Sequence, residues 1–216
     1  HSIPMLSLAN AMNHQELIDF DQRVKKTLNI NYDIEYVMEP KLDGLAVEVV
    51  YENGYFKHGS TRGDGTYGED VSNNLKTIKG IPLQLLDANF NTNGILELRG
   101  EVFINHSDFK QLNKKRIAKG DAIFANPRNC AAGRLRQLDS KITATRPLRI
   151  NFYSIGIKGN LNLDSQIDLM KCMPLLGLPV NSLVKIGTGI NDVIKYYDEL
   201  EKNRDGLDYD IDGVVI

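Results

Sequence analysis

Apolar positions in the chain recur first with a helical period and then with the period of a strand. An extended apolar segment, His-Ser-Ile-Pro-Met-Leu-Ser-Leu, opens the sequence, and Asn13 with Glu16 then forms a capping-box pattern. Leu17, Phe20, Val24 and Leu28 follow at helical spacing, which predicts a surface helix. From Ile34 the period changes. Ile34 to Met38, Leu45 to Tyr51 and Tyr55 to Ser60 read as strands, the last two joined through Glu52-Asn53-Gly54 as a hairpin. Leu96 to Ile104 and Leu148 to Ile155 are further strands. Helices are expected from Ser107, as its cap, to about Ile117, and from Asn126-Pro127, with Ala131, Leu135 and Leu138 as the buried stripe. Two more helical patterns cover Ser165 to Leu176 and Asn191 to Asn203, the second capped by Asn191, with Leu178-Pro179-Val180 extended between them. Asp210 to Ile216 opens a last strand. Strands and helices mix without βαβ regularity, which predicts an α+β fold with mixed or antiparallel sheets and surrounding helices.

A chain of 216 residues, 42% hydrophobic and 25% charged, is one large domain or two small ones with room for a substantial core. No apolar run approaches the length of a bilayer span and no secretory leader is visible. Cys130 and Cys172 lie far apart without a CxxC and read as free thiols in a reducing compartment. The four histidines form no ligand cluster, so no structural metal is expected. The abrupt start at His1 and a β-branched run that stops without a turn at Ile216 read as cuts in a longer protein. The net charge of −2 argues against bulk attraction to nucleic acid. Its distribution differs. Lys110 to Arg149 holds eleven Lys and Arg against Asp121 and Asp139, which suits either a face that meets phosphates or a solvated helix surface.

Chemistry concentrates in a few places. Glu39-Pro40-Lys41-Leu42-Asp43-Gly44 sets a lysine in a short polar turn between two strands, at the rim of a sheet. At an ordinary lysine pKa of about 10.4, roughly 0.1% of such an amine is free near neutral pH; desolvation or a cationic neighbour would activate it. Gly44 lets a phosphate or ribose approach the backbone. A surface turn with a solvated lysine is the plainer reading of the tetrapeptide alone. Thr61 to Asp70 packs three glycines, Arg62 and three acids into a flexible polar loop of the ligand-wrapping kind, with Arg62 able to pair with a phosphate or ribose. Glu101 sits among apolar strand residues, at an edge or in a polar pocket. Arg128 and Arg136, eight apart, lie about 80° around a helix and ~12 Å along it, a spacing that grips successive phosphates; Arg134 points elsewhere and reads as solvated.

HSIPMLSL, EPKLDGLA, TRGDGTYGEDV, LRGEVF, FANPRNCAAGRLRQLD and YDIDGVVI, in this order and spread over residues 1–216, resemble the adenylation (nucleotidyltransferase) domain of bacterial NAD-dependent DNA ligases. The resemblance implies a covalent nucleotidyltransferase fold over 1–216, truncated at both ends. It implies that Lys41 attacks the α-phosphorus of NAD and expels nicotinamide mononucleotide. AMP, kept as a phosphoramidate, then passes to the 5′-phosphate of nicked double-stranded DNA, in replication and repair. It places Asp43 beside the nucleophile, Glu39 on the adenine amino group, and Ser7 and Leu8 in the nucleotide pocket. Tyr153 is similar to the aromatic on which adenine stacks, and Glu101 and Arg62 to ribose and phosphate contacts. Asp212, Gly213 and Val214 match the strand beneath the nucleotide, and Arg128, Arg136 and Arg204 match arginines used around the DNA. Magnesium is implied as cofactor, zinc only in a domain outside this chain; a cytoplasmic monomer without membrane contact is expected.

The chain departs from the family pattern in several places. Cys130 stands where the family commonly has alanine, and the lysines that follow DGVVI would lie beyond Ile216. The nicotinamide-reading domain would precede His1; OB-fold, zinc-finger, helix-hairpin-helix and BRCT parts would follow. Two other readings are an ATP-using ligase or capping relative, separated by labelling with NAD or ATP, and a non-catalytic nucleic-acid module, which would tolerate loss of Lys41.

Overall fold

The computed structural model describes residues 1–86 and 90–216. In chain order the elements are α1 (His14–Leu28), β1 (Glu35–Leu42), β2 (Leu45–Glu52), β3 (Tyr55–Thr61), α2 (Ser72–Leu75), β4 (Ile95–Ile104), α3 (His106–Ala118), α4 (Pro127–Leu135), α5 (Ser140–Ala144), β5 (Leu148–Ile155), α6 (Gln166–Leu175), β6 (Lys185–Thr188), α7 (Ile190–Asn203), a 3₁₀ turn (Arg204–Gly206) and β7 (Ile211–Val215). Helices and antiparallel sheets make this an α+β protein. The chain divides into two compact units: residues 1–5, 42–181 and 208–210 form the larger, and 6–41, 182–207 and 211–216 the smaller.

The larger unit is built on a four-stranded sheet in the order β3-β2-β4-β5, each neighbouring pair antiparallel. The β2–β3 hairpin turns through Asn53 and Gly54, both at positive φ (52° and 80°), the backbone that the Asn-Gly pair supplies at least cost. Val47, Val49, Tyr51, Leu96, Leu98, Val102 and Phe152 are essentially inaccessible to solvent, and each large apolar side chain so covered stabilises the fold by about 1.5–3 kcal/mol. One irregularity interrupts β5. Arg99 of β4 faces Ser154, but Gly100 faces Phe152, so Tyr153 is the extra residue of a β-bulge.

Gly44 has a role in this sheet that its sequence context does not suggest. A Cβ on Gly44 would lie 2.3 Å from the carbonyl oxygen of Val102. The space at its Cα is therefore taken by β4 rather than left for a ligand, which corrects the sequence expectation. Gly44→Ala should lower stability by about 1–3 kcal/mol through overpacking against backbone, seen as a lower urea midpoint at unchanged slope.

In the smaller unit β1 is the central strand of the order β6-β1-β7. Pairing with β6 runs antiparallel from Glu35 opposite Thr188 to Met38 opposite Lys185. Pro40 lies past that paired stretch, so its missing N–H costs no bond to β6. α1 packs against α7. Asn13 caps α1 by accepting the Glu16 N–H at 3.0 Å, and Glu16 reaches back to the Met12 N–H at 2.7 Å. Asp21 is buried but fully engaged, accepting the Tyr36 hydroxyl at 2.8 Å and pairing with Lys25 at 3.0 Å.

Several sequence expectations change. Lys41 belongs to β1 rather than to a polar turn, because the strand runs on to Leu42. α3 begins at His106 behind Asn105; Ser107 instead gives its hydroxyl and N–H to Asp208, at 2.8 and 3.0 Å. α7 is preceded by Gly189, not capped by Asn191. α4 ends at Leu135, so Leu138 lies past the helix and is fully exposed, while Arg134 is buried, 6% accessible. Leu28, expected on the apolar stripe of α1, is exposed. β6 and the one-turn helices α2 and α5 have no counterpart in the apolar pattern.

Candidate active site

Glu39 and Lys41, two positions apart on β1, lie on the same face of the strand, with Pro40 between them on the other. Glu39 is buried; Lys41 is half-exposed. The Lys41 amine donates to both carboxylate oxygens of Asp212, on β7, at 2.7 Å each. That pair spans 171 residues of sequence, and it fixes the amine at one place on the sheet. At this exposure an ion pair contributes only ~0–1 kcal/mol to stability, so its weight lies in position and chemistry. Val214, also on β7, is half-buried. Ser7 is exposed with its polar atoms engaged, Leu8 is exposed, and Arg204 opens the 3₁₀ turn on the surface.

The larger unit holds the remaining expected residues. Asp43 pairs with Arg128 of α4 at 3.1 Å. Arg136, which closes α4, pairs with Glu69 at 2.8 Å. Glu101 accepts the Gly44 N–H at 3.2 Å, which ties β4 to the turn after β1. Arg62 donates through Nε to the Met5 carbonyl at 3.2 Å. Tyr153, half-buried at the bulge of β5, has its carbonyl held by the Gln166 amide at 2.7 Å. Gln166 gave no signal in the sequence, since a glutamine opening a helix has many uses.

The Thr61–Asp70 segment is a tightly wound turn rather than a flexible loop. Asp64 accepts the N–H groups of Thr66 and Tyr67 at 2.8 and 2.7 Å, and these bonds hold its carboxyl below the usual carboxylate range. A Cβ would come within 1.8 Å of the Tyr67 carbonyl oxygen at Gly63 and 1.7 Å of the Thr61 carbonyl oxygen at Gly68. The glycines serve the winding of the segment.

Within the Asn126–Asp139 segment, Asn126 accepts the Asn129 N–H at 2.7 Å and Pro127 opens α4, as its sequence predicts. Arg134 is braced rather than solvated. Its guanidinium and that of Arg116 each lie 4.7 Å from the ring centre of Phe124. Asn113 clamps Phe124 by donating to its carbonyl and accepting its N–H, at 3.1 and 3.0 Å. Cys130 is wholly buried and burial pushes its thiol up; Cys172 is likewise free and buried.

In this ion pair the Lys41 amine has no lone pair to offer; it becomes a nucleophile once a proton leaves, and the carboxylate at 2.7 Å is placed to accept that proton. Among the described residues no three of His, Cys, Asp and Glu converge to hold a metal ion, and no helix is long and apolar enough to cross a membrane.

A family model described as the NAD-dependent DNA ligase adenylation domain matches residues 1–216. Proteins named DNA ligase are similar over the whole chain: 53% identical in Geotalea uraniireducens, 49% in Geobacter sulfurreducens and 44% in Stutzerimonas stutzeri. The chain spans about a third of the length of these relatives, 32%, 32% and 28%.

Proposed function

The chain belongs to the NAD-dependent DNA ligase adenylation domain family, and from that premise we propose that Lys41 is the residue that takes AMP from NAD. The pairing of its amine with both oxygens of Asp212 supports this reading most directly. In the proposed step the amine yields a proton to Asp212 and its lone pair forms a bond to the α-phosphorus. The bond from that phosphorus to the bridging oxygen breaks, and nicotinamide mononucleotide leaves with the electron pair. Glu39 reads the adenine amino group, Tyr153 stacks on the base, and Glu101 and Arg62 hold ribose and phosphate. Asp43 keeps its place beside the nucleophile in sequence. Ser7, Leu8 and Val214 line the nucleotide.

Magnesium fits as an ion bound mainly to phosphates: it keeps several waters and one or two carboxylates, and the described residues offer no protein cage of three such groups. When bound, it supplies charge stabilisation at the phosphate oxygens. In the complete protein the adenylate passes to the 5′-phosphate of nicked DNA, with Arg128, Arg136 and Arg204 meeting the backbone. For Arg128 and Arg136 this requires exchange of their present partners, Asp43 and Glu69. We place the protein in the cytoplasm, as a monomer acting in replication and repair, and read 1–216 as one adenylation domain without the parts that complete nicotinamide and DNA binding.

Incubation of this chain with adenylate-labelled NAD tests the division of labour. Covalent label should be at most a few per cent of that on a chain of the relatives' full length, where it should map to Lys41. Efficient labelling of 1–216 would show the absent parts to be dispensable, and label on another residue of the full-length protein would remove Lys41 from the role.

A further inference from the structure

The larger unit contains a cavity of about 420 Å³ whose lining includes His1, Glu48, His58, Ser60, Tyr67 and Glu97. None of these residues has a part in the nucleotide chemistry proposed above. Glu48 and Glu97 are each only 2% accessible, and each has one carboxylate oxygen, Oε2, buried without a hydrogen-bond partner. An acceptor left unpaired in this way loses its solvation without replacement, and the loss is greater for a charged group. Two around one cavity are a strong demand for a donor.

The groups nearby leave that demand open. His1 reaches Glu48 at Oε1, 2.9 Å from its Nδ1, while its Nε2 lies 3.1 Å from the Arg62 carbonyl and its amino group donates to the Thr66 carbonyl at 3.1 Å. Arg99 lies directly across from Glu48 in the β2–β4 register, yet its Nη2 donates to the carbonyls of Ile3 and Pro4, at 2.6 and 3.3 Å, and its Nε has no partner. Among the described residues neither glutamate forms an ion pair with Arg99. The charged and titratable groups here are two carboxylates, the Arg99 guanidinium, the His1 amino group and two imidazoles; burial pushes Glu48 up, and the His1 amino group, Arg99 and His58 oppose that without bonding its free oxygen. Among the described residues no three of the acidic and imidazole groups are disposed to hold a metal ion. A polyvalent N–H donor with positive charge answers this set better than a bare ion, since it can reach two separated oxygens and the Ser60 and Tyr67 hydroxyls at once.

We propose that this cavity is a binding site for an organic cation of the guanidinium or primary ammonium class, held between Glu48 and Glu97. Two sources share that chemistry: a free small amine or guanidine, and a basic side chain from another part of the full-length protein.

Methylguanidinium is the probe, with urea as its neutral counterpart of similar shape. Followed through the His58 ring resonances of the 1–216 chain, methylguanidinium should bind saturably at one site and urea should not. Glu48→Gln and Glu97→Gln should each weaken binding at least tenfold, and the two together should abolish it. Ser60→Leu, which fills the cavity and keeps both charges, should do the same. Absence of saturable binding, equal binding of urea, or affinity unchanged in the glutamine variants would overturn the site and leave a water-filled cavity only. The same titration on the full-length protein separates the sources. Unchanged binding there assigns the site to a free cation. Loss of binding, with Glu97→Gln lowering the melting temperature of the full-length protein but not of 1–216, assigns it to a side chain of the protein itself. These readouts involve no NAD, so their failure would leave the proposed role of Lys41 standing.

Discussion

Lys41→Ala in the full-length protein should abolish covalent transfer of AMP from NAD, a loss of more than about a thousandfold. Lys41→Arg should fare no better, although it keeps the charge. A guanidinium stays protonated in proteins and has no lone pair to offer phosphorus, so a role that needed only a cation would survive the change and a nucleophile would not. Mass spectrometry of the protein after exposure to NAD reads the result directly. Retention of an adenylated species by either variant would refute the assignment. The fold gives little reason for a structural loss, because the side chain is half-exposed and pairs with the equally exposed Asp212.

Asp212→Asn is expected to have the next largest effect, slowing adenylation by about 10²- to 10⁴-fold, the range for removal of a positioned general base. Asparagine keeps an oxygen that can accept from the Lys41 amine but cannot take its proton as a carboxylate does. The slowing should therefore fall on kcat, with KM for NAD within about twofold of its starting value. Rapid-quench measurement of the adenylation step separates this from slow product release. A variant whose KM rose while kcat held would make Asp212 a binding residue and no acceptor.

Local chemistry was legible in the residues where one or two side chains settle the backbone. Asn53-Gly54 makes its turn, and Asn13 and Asn126 cap the helices they precede, whereas Ser107 and Asn191, expected as caps, lie inside theirs. What failed was extrapolation of a period past the point where packing stops it. Leu138 was placed on a helical stripe that ends three residues earlier, and Arg134 on a solvated face that the Phe124 ring in fact occupies. The four-residue β6 has too little apolar character to announce itself and exists through its pairing with β1. Lys41 with Asp212 and Asp43 with Arg128 are separated by 171 and 85 positions, distances over which a single sequence has no local signal. The motif resemblance supplied those residues; their pairing had to come from the fold.

Tyr153 shows how a ladder can be imperfect to some purpose. Were that one amino acid excised, Phe152 and Ser154 would become consecutive and could face Gly100 and Arg99 in unbroken step. The strand would become more orderly while losing the aromatic ring proposed to cradle a purine. Regularity and usefulness thus part company over a single residue, and a ranking of variants by thermal endurance alone would favour the wrong molecule.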